Sequence, residues 1–232
     1  MHAGRELFAV ILLSTVVACQ GSETPSLETD NQKASYGIGL NMGGQIEPAS
    51  GHIDVAALRA GIEDAMAGRE SRLTDEELQA SMQVFNETIQ AEMQAEAEAL
   101  GETNAAEGDA YLTENATRAG VTTTSSGLQY EVLREGDGAS PEPGDQVTIH
   151  YRGTLIDGTQ FDSSYDRDTP ATFSVGGVIP GFSEGLQLMT VGSQYRLVIP
   201  GGIGYGPGGN APDIGPNATL IFEVELLEIP GS

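Results

Sequence analysis

The sequence predicts an α+β protein in two parts: an all-helical N-terminal half with a long stalk helix, then an antiparallel sheet half-wrapped around one short helix. Two observations carry this. Leu78, Met82, Phe85, Ile89 and Met93 advance in steps of four, three, four and four, the spacing of one helix face. From Val147 the period changes to two. Val147, Ile149 and Tyr151 fall on one side and Thr148, His150 and Arg152 on the other, which is a half-buried strand. The expected division is a signal segment over 1–19, a flexible tether over 20–32, a helical domain with its stalk over 33–120, and a sheet domain over 121–232.

Charge narrows the functions. The 232 residues carry 10 Lys+Arg against 34 Asp+Glu, a formal net charge of −24. No basic patch can neutralise nucleic-acid phosphates, and anionic lipid would repel the chain. Lys33 is the only lysine. Salt would screen such a surface, so a saline habitat fits it without being required.

The N-terminal end reads as an export signal. Arg5 is a thin basic start, and Leu7 to Ala18 is an apolar run too short for a bilayer, which takes about 20 residues. It closes on Val16-Val17-Ala18-Cys19, which resembles a bacterial lipobox, with Val16 where leucine is usual. In such a motif Cys19, the sole cysteine, is lipidated. An ordinary secretory signal with an incidental cysteine is the alternative. Gln20 to Gln32 is polar, with Ser22 and Pro25, and reads as a tether.

Helices follow. Tyr36, Ile38, Leu40 and Met42 mark a first one over Lys33 to Gln45. Asp54 caps a second, with Val55, Leu58, Ile62 and Met66 on one face and Gly68 beyond its end. Thr74-Asp75-Glu76-Glu77 is a capping box that opens the third. Past Met93 the stripe thins, and Gly101 and Gly108 interrupt it. The pattern nevertheless continues to about Arg118, some 40 residues or roughly 60 Å. Three narrow stripes make a poor monomeric core, so two copies are expected to pair through these helices, a self-contained bundle being the alternative.

In the second half, Val121 to Gly127 reads as linker and Leu128 to Leu133 as a strand. The strand from Gln146 to Leu155 follows, then the turn dipeptide Asp157-Gly158 and a short extended piece carrying Phe161 and Asp162. Phe173 to Val175, Gln194 to Ile199 and Thr219 to Leu227 complete five strands. Pro180 opens a short helix with Phe182, Leu186 and Met189 on one side.

Several stretches are recognisable together. Gly127-Leu-Gln-Tyr130, Val147-Thr-Ile-His-Tyr-Arg-Gly153, Asp157 to Ser164, Val178-Ile-Pro-Gly181, Gly204-Tyr-Gly206 and Asn217 to Leu227 resemble, in order and spacing, the FKBP-type peptidyl-prolyl cis-trans isomerases. Lys33-Ala-Ser-Tyr-Gly-Ile-Gly39 and the stalk are similar to the N-terminal dimerisation domain of the macrophage infectivity potentiator subgroup. The resemblance runs from Lys33 to Ile229.

It implies a prolyl pocket lined by Tyr151, Phe161, Asp162, Phe173, Val178, Ile179, Phe182, Tyr205, Ile214 and Phe222. Phe161, Phe182 and Phe222 would grip the proline ring, Tyr205 would offer its hydroxyl, and the Ile179 N–H would anchor a carbonyl. Asp162 would sit by the twisting carbonyl or order Tyr151. No cofactor or metal is implied. Partners would be proline-containing unfolded or nascent exported proteins, with macrolide inhibitors of the family as possible ligands. The place would be the periplasm, with a lipid anchor on the outer membrane as the only membrane contact.

Three departures stand out. Phe182 occupies the place of the tryptophan that usually floors the pocket. Pro200-Gly-Gly-Ile-Gly204 replaces bulkier residues ahead of Tyr205, and Ala171 stands where some relatives carry an aromatic. These are expected to trim activity. The Gly204-Tyr-Gly-Pro-Gly-Gly209 run has the spacing of a dinucleotide fingerprint, but Asn210-Ala-Pro follows where a helix must begin. His2, His52 and His150 form no ligand cluster, and His150 is expected on the face away from Tyr151. A chaperone that holds unfolded chains is the rival to the enzyme, and a surface protein binding a host or matrix partner is a third option.

Overall fold

The computed structural model describes residues 26–231, so the signal segment, Cys19 and the first part of the tether lie outside the described residues. The chain divides into two compact units between Leu73 and Thr74.

In the first unit, α1 spans Asp30–Ile46, a 3-10 turn spans Glu47–His52, and α2 spans Val55–Met66. α1 starts before Lys33, inside the stretch read as tether. Thr29 and Gln32 form a reciprocal capping box there, and this satisfies backbone donors that would otherwise be orphaned. The Asp54 carboxylate accepts from the N–H groups of Ala56 (2.8 Å) and Ala57 (2.9 Å) and caps α2 as expected. In the last turn of α2, Asp64 receives Arg69 and Arg72 from beyond the helix, each at 2.6 Å.

The second unit opens with α3, Asp75–Asn115, whose 41 residues make it about 60 Å long. Gly101 and Gly108 do not break it; they are buried. A Cβ on Gly108 would lie 2.3 Å from the Thr219 hydroxyl, and one on Gly101 would lie 3.2 Å from Pro216. The glycines let this part of α3 approach the 215–219 segment closely. Asn104 adds a hydrogen bond from Nδ2 to the Pro216 carbonyl at 2.8 Å. Lower down, Asn115 donates to Gln129 (2.8 Å), and Gln129 donates to the Leu112 carbonyl (2.8 Å). This stitching groups α3 with the sheet, so the two units part at 73/74 and not near 120.

The sheet has seven strands, all pairs antiparallel: β1 Val121–Thr123, β2 Gln129–Arg134, β3 Gln146–Leu155, β4 Gln160–Ser163, β5 Ala171–Ser174, β6 Gln194–Ile199 and β7 Leu220–Glu228. Their order is β1-β2-β6-β7-β3-β4, and β5 pairs with the first half of β3. The expected linker over 121–127 is in part a strand. Val121, Thr122 and Thr123 pair with Glu131, Tyr130 and Gln129, and polar β-branched residues suit an edge strand. The other strand beyond the five expected, β4, is the short piece that carries Phe161 and Asp162.

The alternation read in β3 is real: Val147, Ile149 and Tyr151 are buried. They join Leu197, Ile199, Val224 and Leu226 in one core, together with Phe182, Leu186 and Met189 from α4 (Pro180–Leu188) and the residue after it. The α+β architecture is the expected one.

Candidate active site

One cleft of about 410 Å³ is lined by Tyr151, Phe161, Asp162, Phe173, Gly177, Val178, Ile179, Phe182, Tyr205, Asn210, Asp213, Ile214 and Phe222. All ten residues singled out in the sequence are among them. They come from β3, β4, β5, the entry to α4, the loop after β6, and β7.

Phe222 is the hub. Its ring lies 4.8 Å from Phe182 at 66°, 5.5 Å from Phe161 at 81°, and 6.5 Å from Tyr151 at 47°. These tilted and edge-on contacts are the arrangements that ring quadrupoles favour. Phe182 and Phe222 are 4% and 6% exposed, so the floor is dry although a tryptophan is missing. Phe173 meets Tyr151 edge-on at 5.7 Å and forms one wall. Phe161 leans over Gly153, where an added Cβ would come within 2.5 Å of its ring. Only a glycine on β3 leaves Phe161 that place.

The polar corner is a triangle. The Tyr151 hydroxyl donates to Asp162 Oδ2. Arg167 donates from Nη1 to Asp162 Oδ1 at 2.6 Å and from Nη2 to the Tyr151 oxygen at 3.0 Å. Burial pushes the Asp162 carboxyl up, but the Arg167 and Tyr151 hydrogen bonds and the guanidinium charge outweigh it and hold the carboxyl below the usual range. Burial, then the bond to Asp162, pushes the Tyr151 phenol up.

A depressed folded-state value stabilises the fold above the unfolded carboxylate's ordinary pKa of about 3.9. That contribution disappears as pH falls through the lower folded value. Asp162→Asn should therefore be less stable than the wild type at pH 7, with the gap narrowing below about pH 4. Urea unfolding at pH 3 and pH 7 measures it, and a gap unchanged between the two would contradict the coupling. The effect is small, because the Asp162 and Arg167 side chains are 41% and 51% exposed.

Tyr205 stands at the mouth, 38% exposed, just ahead of a 3-10 turn over Gly206–Gly208. Ile179 is the N-cap of α4, so its own N–H is not spent in the helix ladder. His150 points away from the cleft as expected: it stacks on Tyr165 at 4.7 Å, and its Nδ1 lies 3.0 Å from Ser164 Oγ.

Sequence reasoning passed over Arg167, Asn210 and Asp213. The one available signal was for Arg167, the only cation between Arg152 and Arg196 in a very acidic chain. No serine, threonine, cysteine, histidine or lysine is among the lining residues. Its aromatic floor can hold an apolar ring out of water, and its Asp162 carboxylate is engaged by Tyr151 and Arg167, an arrangement that suits a conformational isomerase on an α+β scaffold.

Comparison with known proteins agrees. The family model described as "FKBP-type peptidyl-prolyl cis-trans isomerase" matches residues 138–227, and "Domain amino terminal to FKBP-type peptidyl-prolyl isomerase" matches 31–132. "Outer membrane protein MIP" of Legionella longbeachae is 39% identical over 95% of each chain. "FKBP-type 22 kDa peptidyl-prolyl cis-trans isomerase" of Escherichia coli (strain K12) is 45% identical over 89% of this chain and 98% of the relative. The crystal structure of FkpA from Escherichia coli superposes with a TM-score of 0.69 at 39% identity, covering 88% of this chain and 98% of that one. The chain belongs to the FKBP-type peptidyl-prolyl cis-trans isomerase family, and it is an enzyme that accelerates X–Pro rotation.

Proposed function

We propose that a prolyl ring enters the cleft against Phe161, Phe182 and Phe222, and that the X–Pro bond turns there with no covalent step. The observation that carries this is the convergence of ten residues, chosen from the sequence, on one cleft of about 410 Å³. Rotation gives up amide resonance, a barrier of about 18–20 kcal/mol. The planar imide carries more charge on oxygen than the twisted one, so a dry aromatic wall favours the twisted form. Tyr205 donates its hydroxyl to a substrate carbonyl, and the Ile179 N–H anchors another. Asp162 acts by holding Tyr151, since Oδ2 is engaged by Tyr151 and Oδ1 by Arg167.

A protease-free isomerisation assay on a proline tetrapeptide tests this reading. The wild type should accelerate isomerisation, and Tyr205→Phe should lose about 1 kcal/mol of transition-state binding, the worth of one hydrogen bond. A folded wild type that gives no acceleration would overturn it.

The surrounding biology is part of the proposal. Residues 1–19 export the chain to the periplasm, and a lipid on Cys19 tethers it to the outer membrane; the words "outer membrane protein" in the name of the Legionella relative support the location. No helix among the described residues is long and apolar enough to cross a membrane. The mass of the mature protein, with and without Cys19→Ser, tests the lipid. Clients are proline-containing unfolded or nascent exported chains, and macrolide inhibitors of the family suit the same aromatic cleft.

Residues 33–120 serve as the dimerisation module and 121–232 as the isomerase domain. Ile38 is 62% and Met66 85% exposed, apolar surface that a second copy would cover. Sedimentation should report a dimer. A stable monomer would instead favour a self-contained helical bundle. In the second reading, a chaperone, the paired arms hold unfolded chains. In that case Asp162→Ala would abolish isomerisation and leave aggregation suppression intact.

A further inference from the structure

The charges around the cleft mouth do not cancel. Among its lining residues the two carboxylates are Asp162 and Asp213. Asp162 is already neutralised by the Arg167 guanidinium at 2.6 Å. Asp213 is exposed, and its carboxylate takes no hydrogen bond or ion pair among the described residues. No lysine, arginine or histidine lines the cleft. One uncompensated negative charge therefore faces whatever flanks the bound proline.

That charge is held in place. Asn210 and Ile214 close a five-residue loop through paired backbone bonds, Asn210 N to Ile214 O at 2.7 Å and Ile214 N to Asn210 O at 3.1 Å. Gly209 precedes the loop with φ +60°, and a Cβ there would lie 2.4 Å from the Ile214 carbonyl oxygen. Ile214, next to Asp213, is anchored with 4% exposure. A rigid loop presents its charge without the ordering cost that a floppy one would incur.

We infer that Asp213 is a specificity-determining residue that selects X–Pro segments carrying a lysine or arginine beside the proline and disfavours those carrying a glutamate or aspartate. This rests on the isomerase reading of the cleft. The acidity of the whole chain attracts cationic peptides diffusely, but a fixed rim charge acts at short range, where screening by salt is least.

The test uses the full chain and three tetrapeptides with lysine, leucine or glutamate before the proline, assayed without protease. The quantity read is the ratio of kcat/KM for the lysine and glutamate peptides, in which any general loss of activity cancels. A ratio of about ten is expected, falling three- to fivefold in Asp213→Asn. Glu96→Gln, which removes the same charge from the exposed part of α3, should leave the ratio unchanged. Acceleration of the leucine peptide with a ratio near one, or a ratio that Asp213→Asn does not lower, overturns the inference and leaves the isomerase reading standing. An equal fall in Glu96→Gln assigns the preference to net charge and also overturns it. No acceleration of any of the three peptides sinks both.

Discussion

Phe161→Ala is expected to lower kcat/KM for a proline tetrapeptide by about 100-fold, roughly 2.7 kcal/mol of transition-state binding. Phe161 forms the side of the cleft nearest β3 and meets Phe222 edge-on at 5.5 Å. Its removal opens the proline site to water and ends the desolvation on which rotation depends. The fold should tolerate the change, because Phe161 is half-buried and packs against the core from outside it. Circular dichroism and a urea midpoint near that of the wild type would separate lost chemistry from lost structure. A folded variant that keeps more than about a third of wild-type activity would remove Phe161 from the proline site.

Gly201→Ala should be the most destabilising single methyl in the loop ahead of Tyr205. Its Cβ would lie 2.3 Å from the Asn217 carbonyl oxygen, 2.5 Å from its carbon and 2.9 Å from its Cα. These are backbone atoms, and Asn217 sits with a positive φ of 54° in a turn bonded to the Gly206 carbonyl, so it has little room to yield. A loss of about 3 kcal/mol is expected, the upper end of ordinary overpacking. Gly202→Ala is the internal control: nothing lies within 4 Å of its Cβ, so the change should be neutral or stabilise by about 0.5 kcal/mol. Urea denaturation of both variants decides the matter, and equal midpoints would refute the packing account. The glycines ahead of Tyr205 are therefore not uniform slack. Gly201 is the point at which two loops touch.

Much of the site was legible in advance, for identifiable reasons. Tyr151, Phe173 and Phe222 lie on strands, where period-2 alternation assigns a face, and Phe182 lies on the inner side of a short helix opened by Pro180. Their types and order carried the family resemblance. Arg167, Asn210 and Asp213 were not legible, because each stands in a loop with no periodicity. Where such a side chain points depends on how distant segments close the loop, as the Asn210–Ile214 pairing does for Asp213. The contact role of the α3 glycines was not legible for the same reason. In sequence Gly101 and Gly108 look like interruptions, and only the presence of Pro216 and Thr219 beside them turns them into contact points.

The sequence by itself determined the three helices, the caps of α2 and α3, the alternating strands and the aromatic set, because these follow from local periodicity and from residue chemistry within a few positions. The tertiary structure alone decided that Val121–Thr123 becomes an edge strand and that the end of α3 belongs with the sheet. It also decided that Arg167 satisfies Asp162 while Asp213 stays unpaired. Those outcomes depend on atoms brought together from residues up to more than a hundred positions apart, as when Asn104 meets the Pro216 carbonyl, and no local pattern encodes such a meeting.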